Sequence, residues 1–182
     1  MINKGTVRLE TDRLVLRRFV AEDAGCMFRN WASDEEVTRY LTWPAHENAG
    51  VTAYVLNDWI PRYENSNYYN WAIELKETGE AVGNISVVEL NESIEEASVG
   101  YCLGRKYWGQ GIMPEALGEV IAFLFDEVQL NRVQAGHDVN NPKSGRVMEK
   151  EGMKYEGTFR QHGLNNRGIV DVACYGVLKD EV

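Results

Sequence analysis

The stretch from Ser98 to Val128 constrains this chain more than any other. Ser98 to Leu103 alternates as a strand does, and Pro114 to Glu127 carries Leu117, Val120, Ile121, Leu124 and Phe125, with Val128 beyond, at the spacing of one helix face. Between them lies the loop Trp108-Gly109-Gln110-Gly111-Ile112-Met113. The first amides of a helix have no intrahelical acceptor and carry partial positive charge, so glycines in front of them let the backbone close on an anion such as a diphosphate. Pro114 in the first turn removes an N–H that would have stayed unpaired anyway. Two glycines can equally make an ordinary tight turn, and the loop alone leaves both readings open.

The order strand, Gly109-x-Gly111, helix, strand and then Asp138 imitates a dinucleotide-binding βαβ unit with its ribose-binding acid. Pro114 stands where the third glycine belongs. Such a fold also begins with that unit and repeats it, whereas here helices and antiparallel strands come first, which disfavours it.

The rest of the chain supplies the context. Val7 to Phe19 alternates around Leu9, Leu14 and Leu16, which predicts an opening strand pair or one long strand with a break near Thr11-Asp12. A helix is expected from about Asp23. Ser33-Asp34-Glu35-Glu36 has the form of a capping box and predicts a short helix carrying Val37, Tyr40 and Leu41, ended by Trp43-Pro44. From Asn48 to Trp59 the face Val51, Val55, Trp59 predicts another helix, ended or kinked by Pro61. Alternation at Trp71 to Leu75, Val82 to Val88 and Ser98 to Leu103 predicts a three-stranded antiparallel meander. After the helix at Pro114 come a strand Arg132 to Val139, a helix opened by Asn141-Pro142 and closed near Gly152, and strands Tyr155 to His162 and Ile169 to Leu178 joined by a hairpin turn. This is an α+β order with a mixed sheet and few helices, and its length suits a single domain, residues 1–182.

A formal charge of −9 disfavours nucleic acid as a partner and mildly favours a cationic one such as an amine. Cys26, Cys102 and Cys174 are odd in number and widely spaced, so neither a disulfide framework nor a metal site is suggested. With no signal-like start and no long apolar run, the expectation is a cytoplasmic protein without a membrane partner.

On these motifs the chain resembles the GNAT superfamily of N-acetyltransferases, and within it the branch of ribosomal-protein N-terminal (alanine/serine) acetyltransferases, over essentially its whole length. The likeness rests on Thr11-Asp12-Arg13-Leu14-Val15-Leu16-Arg17, on Ser33 to Leu41, on Val99-Gly100-Tyr101-Cys102-Leu103 with Tyr107 to Leu117, and on Asn141-Pro142-Lys143-Ser144-Gly145-Arg146-Val147-Met148 through Gly157. The resemblance implies a single-domain acyl-CoA N-acyltransferase fold, with a mostly antiparallel central sheet, two splayed parallel strands and flanking helices. It implies acetyl-CoA as cofactor, with coenzyme A as product, and cofactor motifs at about 98–117 and 138–153. Backbone groups of Tyr101, Cys102 and Leu103 are expected on the pantetheine arm, and those of Gly109, Gln110, Gly111, Ile112 and Met113, ahead of Pro114, on the pyrophosphate. Asn141 and Ser144 complete the expected cofactor set. Trp108 and Met113 depart from the wider superfamily loop, which often begins with Arg or Gln and ends with Gly or Ala.

The implied chemistry is direct attack of a neutral amine on the thioester, so Cys102 and Cys174 need no nucleophilic role. An α-amino group of pKa ~8 is already about a tenth neutral at pH 7, whereas a lysine of pKa ~10.4 is far below one per cent neutral. The tyrosine acid of many superfamily members is replaced here by Met148, whose thioether cannot donate a proton. Ser144 is the candidate donor to the leaving thiolate. His162 and Glu96 are the candidate bases, while His137 reads as structural and His46 as a residue bordering the substrate cleft. A protein N-terminus is the first reading of the acceptor. Polyamines, aminoglycoside-like drugs and amino sugars are alternatives, as is a non-catalytic coenzyme A-binding module. Open sheet edges leave room for a homodimer.

Overall fold

The computed structural model describes residues 1–182. Eight strands join into one sheet: β1 (Leu9–Glu10), β2 (Leu14–Arg17), β3 (Asn70–Leu75), β4 (Ala81–Asn91), β5 (Glu96–Leu103), β6 (Arg132–Asp138), β7 (Lys154–Asn165) and β8 (Gly168–Leu178). Their order is β1-β2-β3-β4-β5-β6-β8-β7, and every neighbouring pair is antiparallel except β5 and β6. A parallel pair cannot be joined by a hairpin, and the crossover here is α4 (Ile112–Asp126). The result is the α+β arrangement, a mixed and mostly antiparallel sheet with flanking helices, that the element order predicts.

α4 and α5 (Pro142–Lys150) lie on one face of the sheet. Leu117, Val120, Ile121, Leu124, Phe125 and Val128 are all buried there, together with Val99, Val133, Ala135 and Met148. On the other face, α1 (Asp23–Met27), a π-helical turn (Phe28–Ala32), α2 (Glu35–Thr38) and α3 (Ala49–Arg62) enclose a smaller core of Phe19, Trp31, Leu56, Tyr63 and Cys102. Arg17 ties this half to the sheet, with both terminal nitrogens on the Asp23 carboxylate at 2.7 and 2.8 Å and Nε on Glu74.

The helices of that second face differ from the sequence expectation. Asp34, not Ser33, caps α2 by accepting from the Glu36 amide, because the Ser33 hydroxyl turns back to the Phe28 carbonyl that closes the π-helical turn. α2 ends at Thr38, short of Tyr40 and Leu41. α3 buries Thr52 and Leu56 and leaves Val51 exposed, so its inner face is rotated from the expected Val51 line. Thr52 tolerates burial because its hydroxyl shares a hydrogen bond with His46 Nδ1 at 2.8 Å. Pro61 lies inside the last turn of α3 rather than ending it, and α4 starts two residues before Pro114.

Candidate active site

The one parallel pair is incomplete. β5 and β6 are in register only from Glu96↔Arg132 to Val99↔Ala135, yet β5 continues to Leu103 and β6 to Asp138. Beyond Val99 the two strands splay, each held on its outer side by β4 or β8. Backbone direction alternates along a strand, so two flanking hydrogen bonds fix which groups face the gap. The Glu95 carbonyl accepts from Asn131 and Arg132 on the β6 side, and the Gly104 amide donates to Val82 on the β4 side. Main-chain groups of Tyr101 and Leu103 therefore face the gap, and those of Cys102 face β4. This corrects the expectation that Cys102 presents backbone to a ligand. The Leu103 carbonyl is also engaged, accepting from the Trp108 indole at 2.7 Å.

The glycine loop lies at the end of the sheet where the gap opens. Gly109 and Gly111 both have φ of +76°, a conformation that a side chain disfavours, and Gly111 is the N-cap of α4 with no side-chain cap. The amides of Gly109, Gln110, Gly111, Ile112 and Met113 donate to no acceptor in the protein. Five successive free amides at the start of a helix fit a diphosphate.

The loop is held from outside by Arg13, whose Nη1 donates to the Gln110 carbonyl at 2.9 Å and whose Nε donates to Glu115 at 2.6 Å. Glu115 also accepts from Thr11 and from the Arg13 amide. Partial burial would raise the Glu115 pKa, but these three partners outweigh it and hold the carboxyl below its ordinary range. The Gln110 side chain is bonded to the Lys106 carbonyl at 2.9 Å and is not free for a ligand. The side chains of Ile112 and Met113 are core residues, so only their amides face the loop.

Across the gap, α5 presents Asn141 and Ser144. Asn141 occupies the cap position, but its side chain makes no cap hydrogen bond and stays half-exposed. The Ser144 hydroxyl donates to the Tyr101 phenol at 3.1 Å, and the phenol donates to the Ser144 carbonyl at 2.9 Å. Burial pushes the Tyr101 phenol well above its ordinary pKa, so it remains a neutral hydrogen-bonding group. Lys143 Nζ sits 4.9 Å from the centre of the Trp108 ring and links the α5 side of the opening to the glycine loop. Met148 is buried in the core with no proton to offer.

The other sequence candidates lie elsewhere. Glu96 is at the closed end of the β5/β6 pair, where its carboxylate accepts from Arg132 Nε at 2.7 Å and from Gln134 at 3.2 Å. It is a clamp between the parallel strands, far from the gap. His162 is exposed on β7, the outermost strand, packed on Phe159 within an irregular segment of the β7/β8 ladder. β8 separates it from β6, so the fold does not bring it beside Ser144. His137 stands on β6 with Nδ1 on the Asp138 carbonyl and its ring stacked 5.7 Å from Tyr175. His46 is bound to Thr52, its ring is tilted against that of Trp43 with centroids 5.1 Å apart, and burial lowers its pKa.

Two parts of the site were missed in the sequence. The Tyr101 side chain could have been found from the strand period, because Ala97, Val99, Tyr101 and Leu103 share the helix face. The Arg13–Glu115 clamp has no local sequence signal.

A family model for the acetyltransferase (GNAT) domain matches residues 13–154. An uncharacterized N-acetyltransferase of Bacillus subtilis, YoaA, is 30% identical over 171 residues, covering 94% of this chain and 96% of that protein. The [ribosomal protein uS5]-alanine N-acetyltransferase of Escherichia coli is 25% identical over 185 aligned positions, covering 89% and 86%. The crystal structure of a GNAT-family acetyltransferase from Bacillus anthracis superimposes with a TM-score of 0.83 at 25% identity, covering 96% of this chain and all of the other. No helix is long and apolar enough to cross a membrane.

Proposed function

Because this chain belongs to the GNAT family of acetyltransferases, we propose that it transfers the acetyl group of acetyl-CoA directly to a primary amine, a protein N-terminal α-amino group being the first candidate. One observation carries this reading: five unpaired amides, from Gly109 to Met113, stand at the end of the sheet where β5 and β6 separate. An anion-binding loop beside a strand with an open edge fits a cofactor that has a diphosphate at one end and an amide-rich arm at the other. Bound acetyl-CoA supplies the activated acetyl group as a thioester.

The chain's own residues have separate tasks in this reading. The loop amides hold the diphosphate, and the gap-facing main chain of Tyr101 orients the arm. Asn141, with its side chain uncommitted, is available as a further polar contact at the mouth. As the amine nitrogen bonds to the acetyl carbon and the carbon–sulfur bond breaks, the Ser144 hydroxyl would supply a proton to the leaving sulfur and regain one from solvent. The Tyr101 phenol positions that hydroxyl. The amine loses its own proton to solvent, which suffices for an α-amino group of pKa ~8.

The E. coli relative, named for the N-terminal alanine of ribosomal protein uS5, supports a protein N-terminus as acceptor. Mass spectrometry of cellular N-termini after overexpression and after deletion tests it. The expected result is a set of N-termini whose acetylation rises and falls with the enzyme, and no change in any N-terminus would turn the assignment to small amines. Release of free thiol from acetyl-CoA in the presence of amines tests catalysis itself, since a module that only binds coenzyme A releases none.

A further inference from the structure

A pocket of about 410 Å³ opens beside the gap, lined by Arg39, Tyr40, Asp138, Asn165, Arg167 and Ile169 among others. It lies on the sheet face opposite α4 and α5. Val133 and Ala135 of β6 are buried under those helices, so alternation turns Gly136 and Asp138 to the other side. Asp138 is three residues beyond the last β6 residue paired with β5, which sets the pocket at the open end of the splay. One wall is the β7/β8 hairpin, stapled to the segment after α2 by Asn166, whose Nδ2 donates to the carbonyls of Thr38, Leu41 and Trp43 at 2.7, 3.0 and 3.1 Å.

The pocket separates its charges. Arg167 is in no ion pair and its side chain makes no hydrogen bond, and the nearest carboxylate to Arg39, that of Glu36, is 3.8 Å away. Asp138 is 7% exposed, with Oδ1 accepting from the Asn140 amide and Nδ2 at 2.9 Å each, and Oδ2 accepting only from Asn165 at 2.9 Å. A carboxylate oxygen with one partner can accept another donor. In a chain with 28 acidic and 19 basic residues, two arginines without a carboxylate within hydrogen-bond reach, flanking one small cleft, make a local reversal of sign. Guanidinium groups are suited to two-pronged binding of carboxylate or phosphate.

We propose that the acceptor is an amine bearing an anionic group, a carboxylate or a phosphate, with the anion between Arg39 and Arg167 and the ammonium directed to Asp138. This rests on the acetyl-transfer reading and narrows its substrate class. The same chemistry is available from a peptide with an acidic residue next to its N-terminus and from a small phosphorylated amine. Both sources place an anion a few bonds from the amine.

Initial rates with acetyl-CoA on two matched pairs of acceptors test it. The peptide pair is the amidated tripeptides Ser-Asp-Ala and Ser-Asn-Ala, and the small-molecule pair is glucosamine 6-phosphate and glucosamine. In at least one pair the anionic member should have a kcat/KM about tenfold or more above its neutral partner, the value of a charge-assisted hydrogen bond. The responding pair identifies the source. In the double variant Arg39→Ala, Arg167→Ala that ratio should fall to within about twofold, while the lysine double variant, which keeps the charge, should restore part of it. Both arginines are exposed, so folding is expected to survive, and the melting temperature checks this. Equal rates within both pairs, or a ratio that survives the alanine substitutions, would overturn the proposal and leave acetyl transfer standing. Failure of all four acceptors and of every other amine to release thiol would remove the underlying reading as well.

Discussion

The phenol of Tyr101 on β5 and the hydroxyl of Ser144 on α5 are joined by two hydrogen bonds, 3.1 Å between the hydroxyls and 2.9 Å from the phenol to the Ser144 carbonyl. The pair closes the α5 side of the gap between the splayed strands. It also orders the hydroxyls: the phenol donates to the carbonyl, so its oxygen accepts from the Ser144 hydroxyl and holds it in one orientation.

Ser144→Ala should therefore lower kcat by about a hundredfold and change the KM for acetyl-CoA little, in the range expected for loss of a general acid. Tyr101→Phe removes only the positioning partner, and about a tenfold loss of kcat is expected. A merely structural role for the pair would lower the melting temperature of both variants and leave kcat and its pH profile unmoved. Unchanged turnover in Ser144→Ala would remove the assignment.

The glycine loop makes a separate demand. At φ of +76° an alanine costs about 1 kcal/mol or more, and a Cβ on Gly111 would also lie 3.4 Å from Arg13 Nη2. Gly111→Ala should raise the KM for acetyl-CoA by about tenfold, because a shifted backbone misdirects the amides. Gly109→Ala has open space and should suffer from the dihedral alone. Gly25, in α1 at an ordinary dihedral with no atom near its missing Cβ, is the control: Gly25→Ala should be neutral or stabilise by about 0.5 kcal/mol. Equal effects at all three sites would mean that the loop conformation is not what matters.

Cys102 lies on the splayed part of β5, with its thiol buried in the smaller core, and a cysteine so near the gap invites an acetyl-enzyme mechanism. Burial pushes its pKa up to about 12, so almost no thiolate exists at neutral pH. Incubation with acetyl-CoA and no amine should give no mass increment on the protein, and Cys102→Ala should keep turnover within about threefold while losing some stability from the packed core. A stable acetyl adduct on Cys102 would contradict direct transfer.

Glu115 links acid stability to the loop. Its carboxyl is held below the ordinary value of 4.5, since Thr11 and Arg13 outweigh the opposing effect of burial. A carboxyl depressed in the folded state contributes stability that is complete above the unfolded-state pKa and is lost as pH falls through the folded value. Thermal melts of Glu115→Gln should therefore lie below those of the native protein at pH 7, and the two curves should converge on acidification below about pH 4. Parallel curves down to pH 3 would exclude the clamp as the source.

The cofactor half of the site was legible in the sequence because it is local. A strand, a loop of two glycines and the helix at Leu117 to Val128 follow one another, and each is set by its own residues. The acceptor half was not, because Arg39, Asp138 and Arg167 meet only after the sheet has placed β8 beside β6 and Asn166 has stapled the hairpin to the α2 segment. Helix faces failed where a polar side chain could be satisfied internally, as at Thr52, since periodicity counts only apolar residues. The cap at Asp34 failed because the preceding π-helical turn takes the Ser33 hydroxyl, a feature with no sequence signature.

The two bases suggested by residue type give the last prediction. Glu96 is tied to Arg132 and Gln134 at the closed end of the parallel pair, five residues before Tyr101, or about 16 Å along an extended strand. A carboxylate there cannot take a proton from an amine at the gap. His162 is two strands out from β6, exposed, and beside Gln161, whose φ of 53° marks the irregular stretch of β7. Glu96→Gln should cost about 1 kcal/mol, since Arg132 keeps Glu156 but loses a charged partner shielded from water, and should leave the pH dependence of kcat/KM unchanged. His162→Ala should change neither stability nor that profile appreciably. If either substitution removes the acidic limb of the profile in a protein that still melts cooperatively, that residue reaches the amine in the working enzyme, and the solvent route for the amine proton is wrong.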